Sequence, residues 1–146
     1  MTSKRLNYYA AAPQVMKAMM GLEKAISESV LPLALRELVR IRASQINGCA
    51  YCVDMHTTDA ANQGETLRRL TALSTWKETP FFNQQERAAL LWTETLTLVA
   101  TTHAPDDIYE EVAAAFNDQQ LTELTFVIAT INAWNRFGVG FAMQPE

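Results

Sequence analysis

The stretch NGCAYCVDMHTTDA, Asn47 to Ala60, holds both cysteines of the chain and one of its two histidines. It raises three possibilities: a zinc site, a passive disulfide, or a redox dithiol. A closed zinc site takes four ligands and a catalytic one usually three. Cys49, Cys52 and His56 supply three, but His103 lies apart in the loop-like TTHAPDD, and no second CxxC or HxxxH pair exists. A bridge between cysteines three apart closes a very small loop and removes little unfolded-state entropy. A reduced pair packing as small hydrophobes is the plainest alternative.

The redox reading uses more of the residues. Asn47-Gly48 tolerates the left-handed backbone that ends helices, so a new helix starts at about Cys49 and stops at Gly64. The free amides and dipole at its N-terminus favour a thiolate. Cys52 is three residues on and His56 four beyond that, which places all three on one side of the helix. The imidazole is then placed to take a thiol proton, and the second thiol to resolve what the first forms. The thioredoxin type of CxxC sits among strands, and strand signals are nearly missing here.

Working outward, every segment reads as helix. Pro13 opens a first helix whose stripe is Val15, Met19, Leu22 and Ile26. Pro32 opens a second, LPLALRELVRIRASQIN, with Leu35, Leu38, Val39, Arg42 and Ile46 on one face. A fourth helix covers Glu65 to Lys77, ETPFFN is a turn, and QQERAALLWTETLTLVA is a fifth helix. Asp106-Asp107 start a sixth through the dipole. A long last helix runs from about Asp118 towards Phe141, and its run from Leu124 to Trp134, apolar on most sides, implies burial all round. The expectation is all-α: one domain over residues 1–146, a bundle of about six to seven helices, oligomeric.

Composition fits this frame. The chain has 146 residues, 49% hydrophobic and 19% charged, enough for a core without metal or cross-links. The net charge of −4 comes with no basic run beyond pairs such as Lys4-Arg5 and Arg68-Arg69, so no nucleic-acid footprint is present. The most apolar window is too short for a membrane span. The LNYYAAAP segment is too short for a signal peptide, and the cysteine pattern is not that of a secreted scaffold. A cytoplasmic protein, with neither nucleic-acid nor membrane partners, is expected.

The run ELVRIRASQINGCAYCVDMH, Glu37 to His56, resembles the core motif of the alkylhydroperoxidase D-like proteins, in the carboxymuconolactone decarboxylase superfamily. Glu37, Cys49, Cys52 and His56 meet its Glu-x11-Cys-x2-Cys-x3-His spacing without a gap. The segments FFNQQERAALLWTETLT and INAWNRFGVGF are also similar to later family segments. The resemblance implies an all-helical dithiol peroxidase reducing small organic hydroperoxides, with peroxiredoxin-type antioxidant activity. It implies that Cys52 attacks the peroxide, that Cys49 closes the disulfide, and that His56 and Glu37 relay protons. No bound cofactor is implied, but an external thiol reductant is, such as a lipoyl group. The implied partners are a lipoyl carrier or a peroxiredoxin, in a trimer or hexamer. Alternatives are a carboxymuconolactone-type decarboxylase and a non-enzymatic redox-sensing helical oligomer. By periodicity alone Glu37 falls off the apolar stripe of its helix and reads as solvated surface. Ala50 and Tyr51 separate the cysteines, so no second histidine lies between them.

Other residues carry weaker expectations. Asp59 is placed to orient His56 but reads as surface. Tyr51, and Trp134 with Asn132 and Arg136, are candidates for a pocket wall, with packing the default. Arg42 interrupts an apolar stripe and calls for a carboxylate partner. His103 reads as a loop residue, and Met16, Met19 and Met20 as core or interface.

Overall fold

The computed structural model describes residues 2–3 and 5–146. It is helical, apart from a ladder of two residues per strand that pairs β1 (Thr2–Ser3) antiparallel with β2 (Met143–Gln144). The helices are α1 (Tyr8–Ala11), α2 (Pro13–Ser27), α3 (Leu33–Asn47), α4 (Ala50–Asn62), α5 (Leu67–Ala72), α6 (Gln84–Thr97), α7 (Val99–Thr102), α8 (Asp106–Ala113) and α9 (Asp118–Gly140). A 3-10 helix, Leu73–Glu78, follows α5.

The axis of the fold is α3. Its residues 35–41 are all buried, because α4, α6 and α9 pack around it. Towards α6 and α9, Leu35 and Val39 join Trp92, Leu124, Val127 and Ile128 in one apolar cluster. Leu38 and Ile41 join Leu70, Leu73, Trp76 and Leu90 in a second. Leu124 is fully buried, which is worth roughly 1.5–3 kcal/mol of transfer free energy. At its C-terminal end Gly48 adopts φ 70°, ψ 30°, the left-handed cap for which glycine has no steric penalty. The chain reverses there, and α4 returns along α3.

Several boundaries agree with the pattern in the sequence. Helices begin at Pro13, Asp106 and Asp118, and α3 ends at Asn47. Asn83 and Asn117 each close a capping box, with Glu86 and Gln120, which satisfies otherwise free N-terminal amides.

Other expectations are corrected. The stripe of α2 runs through Met16, Met19, Leu22 and Ile26; Val15 is exposed. Residues 65–77 are not one helix but α5 and the 3-10 helix, where Thr75 leaves helical backbone and its hydroxyl donates to the Ala72 carbonyl. The fifth helix stops at Thr97, and the Thr102 hydroxyl donates to the Thr95 carbonyl across the break. In both places threonine hydroxyls take carbonyls that a continuing helix would use. The last helix is not buried all round: Phe126, Ala129 and Arg136 form an exposed strip. His103 does lie in a turn, closing α7. Arg42 finds Glu94, at 3.0 and 3.1 Å, and Trp76 Nε1 donates to the same carboxylate.

Candidate active site

Cys49 is the N-cap of α4, and its Sγ accepts a hydrogen bond from the Cys52 amide at 3.3 Å. The two cysteines are joined as a disulfide. Both are buried. One turn further along α4, His56 Nδ1 lies 3.0 Å from Glu37 Oε2 on α3. Glu37 is buried, not solvated as its position off the apolar stripe predicts, because the return of α4 and the packing of α9 cover that side of α3.

Glu37 is held from two sides. Arg40 Nη1 donates to its Oε1 at 2.5 Å, and Arg40 Nη2 lies 3.5 Å from Glu23 Oε2 on α2. Glu23 in turn accepts from Trp134 Nε1 at 2.9 Å. Burial pushes the Glu37 carboxyl up, but the His56 and Arg40 contacts outweigh it and hold the carboxyl below its ordinary range. Glu37 is therefore ionised at neutral pH and fixes the His56 ring, leaving Nε2 as the nitrogen available to a reacting group. Asp59 does not do this orienting: it is exposed on α4, with a carboxylate oxygen within 4.8 Å of the pair.

The helix α9 crosses the disulfide at Gly138. A Cβ there would come within 2.5 Å of Cys49 Sγ and 3.2 Å of Cys52 Sγ, so only glycine lets the backbone approach this closely. Four residues' worth of polar contacts fix α9 to α3 beside it. Asn47 Nδ2 donates to the side-chain oxygens of Asn132 and Asn135, each at 2.9 Å, and Asn135 Nδ2 donates to Ser44 Oγ at 2.9 Å.

Cys52, His56 and Gly138 face a cavity of about 220 Å³. Tyr51 and Trp134 line it, as a pocket wall requires, whereas Asn132 ties helices together and Arg136 is exposed. On the other side, Cys49 borders a shallow depression with Val53, Asp54, Thr57 and Thr58. The zinc reading loses its thiolates to the disulfide.

Glu37, Cys49, Cys52 and His56 are thus brought together. Sequence reasoning missed Arg40, Glu23, Ser44, Asn135 and Gly138. A signal existed for some of them. Glu37, Arg40, Ser44 and Asn47 follow at spacings of three, four and three, a polar stripe on a helix otherwise built to be buried. Gly138 interrupts the apolar side chains within α9 at a cost of about 1 kcal/mol in helix propensity, a penalty that calls for a packing reason.

Such an arrangement defines a class: an all-helical dithiol protein of the alkylhydroperoxidase D type. The carboxymuconolactone decarboxylase family profile matches residues 13–95, and the chain belongs to that family as an AhpD-like member. The uncharacterized protein YdfG of Bacillus subtilis is 42% identical over 137 residues, covering 94% of this chain and 93% of its own. A structure of ATU0492 from Agrobacterium tumefaciens, a protein of unknown function proposed as an AhpD antioxidant defence protein, superposes with TM-score 0.94 at 41% identity and covers 99% of both chains. An uncharacterized peroxidase-related protein of Ralstonia eutropha JMP134, described as an alkylhydroperoxidase AhpD core, shares the fold at TM-score 0.81 and 18% identity, with 95% of this chain and 74% of that one covered. Among the described residues no helix is long and apolar enough to cross a membrane.

Proposed function

We propose that the protein is a dithiol peroxidase that reduces small organic hydroperoxides. The observation that carries this reading is a Cys52 sulfur on a cavity shared with His56, whose other ring nitrogen is fixed by an ionised, buried Glu37. In the reduced protein, His56 takes the Cys52 proton, and the thiolate attacks the terminal oxygen of ROOH. The O–O bond breaks, the alkoxide takes a proton and leaves as ROH, and Cys52 becomes a sulfenic acid. The Cys49 thiolate then attacks the Cys52 sulfur, the S–O bond breaks, and hydroxide leaves as water with one proton. Two electrons pass from the two sulfurs to the peroxide, and the disulfide seen here is the product. An external dithiol returns it to two thiols by exchange, and a lipoyl group on a carrier protein or a peroxiredoxin partner fits that role.

The decarboxylase named by the family does not need two joined cysteines. A redox sensor would share the disulfide but not turn over. Assembly as a trimer or hexamer is part of the proposal: the exposed strip of α9, with Phe126 at 51% exposure, is the face offered for it, and light scattering of the purified protein measures it.

The test is turnover of an organic hydroperoxide with a dithiol reductant, by wild type and by Cys52→Ser. Loss of turnover in the variant is expected, with the Cys49–Cys52 disulfide appearing in wild type after one equivalent of peroxide. Turnover by Cys52→Ser at the wild-type rate would overturn the reading.

A further inference from the structure

The cavity against Cys52 has a chemistry of its own. Three phenol rings line it, Tyr8 and Tyr9 from α1 and Tyr51 from α4, together with the indole of Trp134. Tyr9 and Trp134 lie nearly parallel, 20° apart with centroids at 6.4 Å, and Tyr8 stacks on Tyr9 at 4.8 Å. Met20, Met55 and Ile131 complete the apolar lining. Aromatic and thioether groups of this kind favour a flat ring over a flexible chain.

Size and charge narrow the choice further. A cavity of about 220 Å³ lies below the roughly 300 Å³ at which drug-sized pockets begin, so one ring with a short substituent fits and a long acyl chain does not. The carboxylate on the wall is Glu23, and among the described residues neither a lysine nor an arginine lines the cavity. Behind the wall Arg40 is committed to Glu23 and Glu37. Arg36 interacts with both carboxylates as well, and transfer of the Cys52 proton to His56 leaves the net charge unchanged, so the charge that an entering group meets on the wall is that of Glu23. Tyr8 and Tyr9 bring no charge to the wall: burial and the neighbouring Tyr9 and Tyr51 push Tyr8 up to about 12, and burial with Tyr51 raises Tyr9.

We propose that this cavity selects neutral, single-ring aromatic hydroperoxides and discriminates against hydroperoxides that carry a carboxylate on an acyl chain. The proposal rests on the peroxidase reading above and adds its substrate class. The helix α1 is its specificity element. It is docked over the site by Tyr8, whose ring meets Phe137 and Phe141 of the α9 end at 5.0 and 5.1 Å, and by the β1–β2 ladder that joins the two ends of the chain.

The test separates binding from turnover. Tryptophan emission of the full-length protein is titrated with 2-phenyl-2-propanol, the alcohol product of cumene hydroperoxide, and with octanoate. The aromatic alcohol is expected to perturb the emission, and Trp134→Phe to remove that response. Octanoate is expected to bind about tenfold more weakly, the scale of one partly screened charge contact, and Glu23→Gln to narrow that gap. In turnover, kcat/KM for cumene hydroperoxide is expected to exceed that for a fatty-acid hydroperoxide by a similar factor. Octanoate binding as tightly as the aromatic alcohol, or equal kcat/KM for the two hydroperoxides, overturns the selectivity and leaves the peroxidase reading standing. Aromatic binding without turnover of any hydroperoxide removes the peroxidase reading, and the substrate class falls with it while the ring-binding site remains.

Discussion

On one side of α3, Leu35 and Val39 meet Trp92, Leu124 and Ile128; on the other, Glu37 and Arg40 meet His56 and Glu23. Both sides are buried. The apolar side is held by many interchangeable contacts, and losing one leaves the rest in place. The polar side is held by a few directed contacts, and removing one partner strands a buried charge. The difference separates what the two sides do: the first carries stability, the second sets the position of the His56 ring on the cavity that Cys52 shares.

The comparison can be broken most severely at the thiol. Cys52→Ser should reduce peroxide turnover by more than about a thousandfold, the scale on which removal of an essential catalytic group acts, with the melting temperature of the reduced protein little changed. Next comes Glu37→Gln, which keeps the shape but removes the charge fixing His56; turnover should fall by about a hundredfold and its pH profile should shift, read by steady-state kinetics. Leu124→Ala probes the apolar side. It should cost roughly 2–5 kcal/mol of stability, measured by urea unfolding, and leave kcat/KM at low temperature near wild type. If it disables turnover as Glu37→Gln does, the division between the two sides fails. Gly138→Ala should cost about 1–3 kcal/mol through overpacking and lower the yield of disulfide per equivalent of peroxide, read by mass spectrometry.

The smallest effect is in acid. The folded-state pKa of Glu37 is depressed below its ordinary value by the His56 and Arg40 contacts. Its charge therefore contributes stability above that value, and the contribution is lost as pH falls through the lower folded pKa. Melting temperatures taken between about pH 5 and pH 3 should drop more for wild type than for Glu37→Gln. Equal slopes would mean that Glu37 gains nothing from His56 and Arg40.

Much of the fold was legible because helices announce themselves locally. Pro13, Asn47-Gly48 and Asp118 mark ends through short-range chemistry, and the structure has ends there. Breaks made by threonine hydroxyls at Thr75 and Thr102 were not legible, since those bonds exist only once the chain has turned. At the candidate site, spacing along α4 placed Cys49, Cys52 and His56 on one side of a helix. Glu37 was different. Its burial depends on α4 and α9 arriving from elsewhere in the chain, so periodicity within α3 assigned it to solvent, and only the family resemblance placed it with the thiols. Arg40 and Glu23 escaped for the same reason: a pairing between α3 and α2 leaves no mark within either helix alone.

Gly138 extends the argument past this one chain. The motif from Glu37 to His56 says that two sulfurs stand near an imidazole, but whether those sulfurs can meet depends on a residue more than eighty positions downstream. A relative that keeps the cysteines and the histidine but carries a branched side chain opposite them has the reagents without the room to join them. Position 138 thus offers a one-letter screen, by which chains able to cycle between dithiol and disulfide can be sorted from look-alikes before any of them is purified.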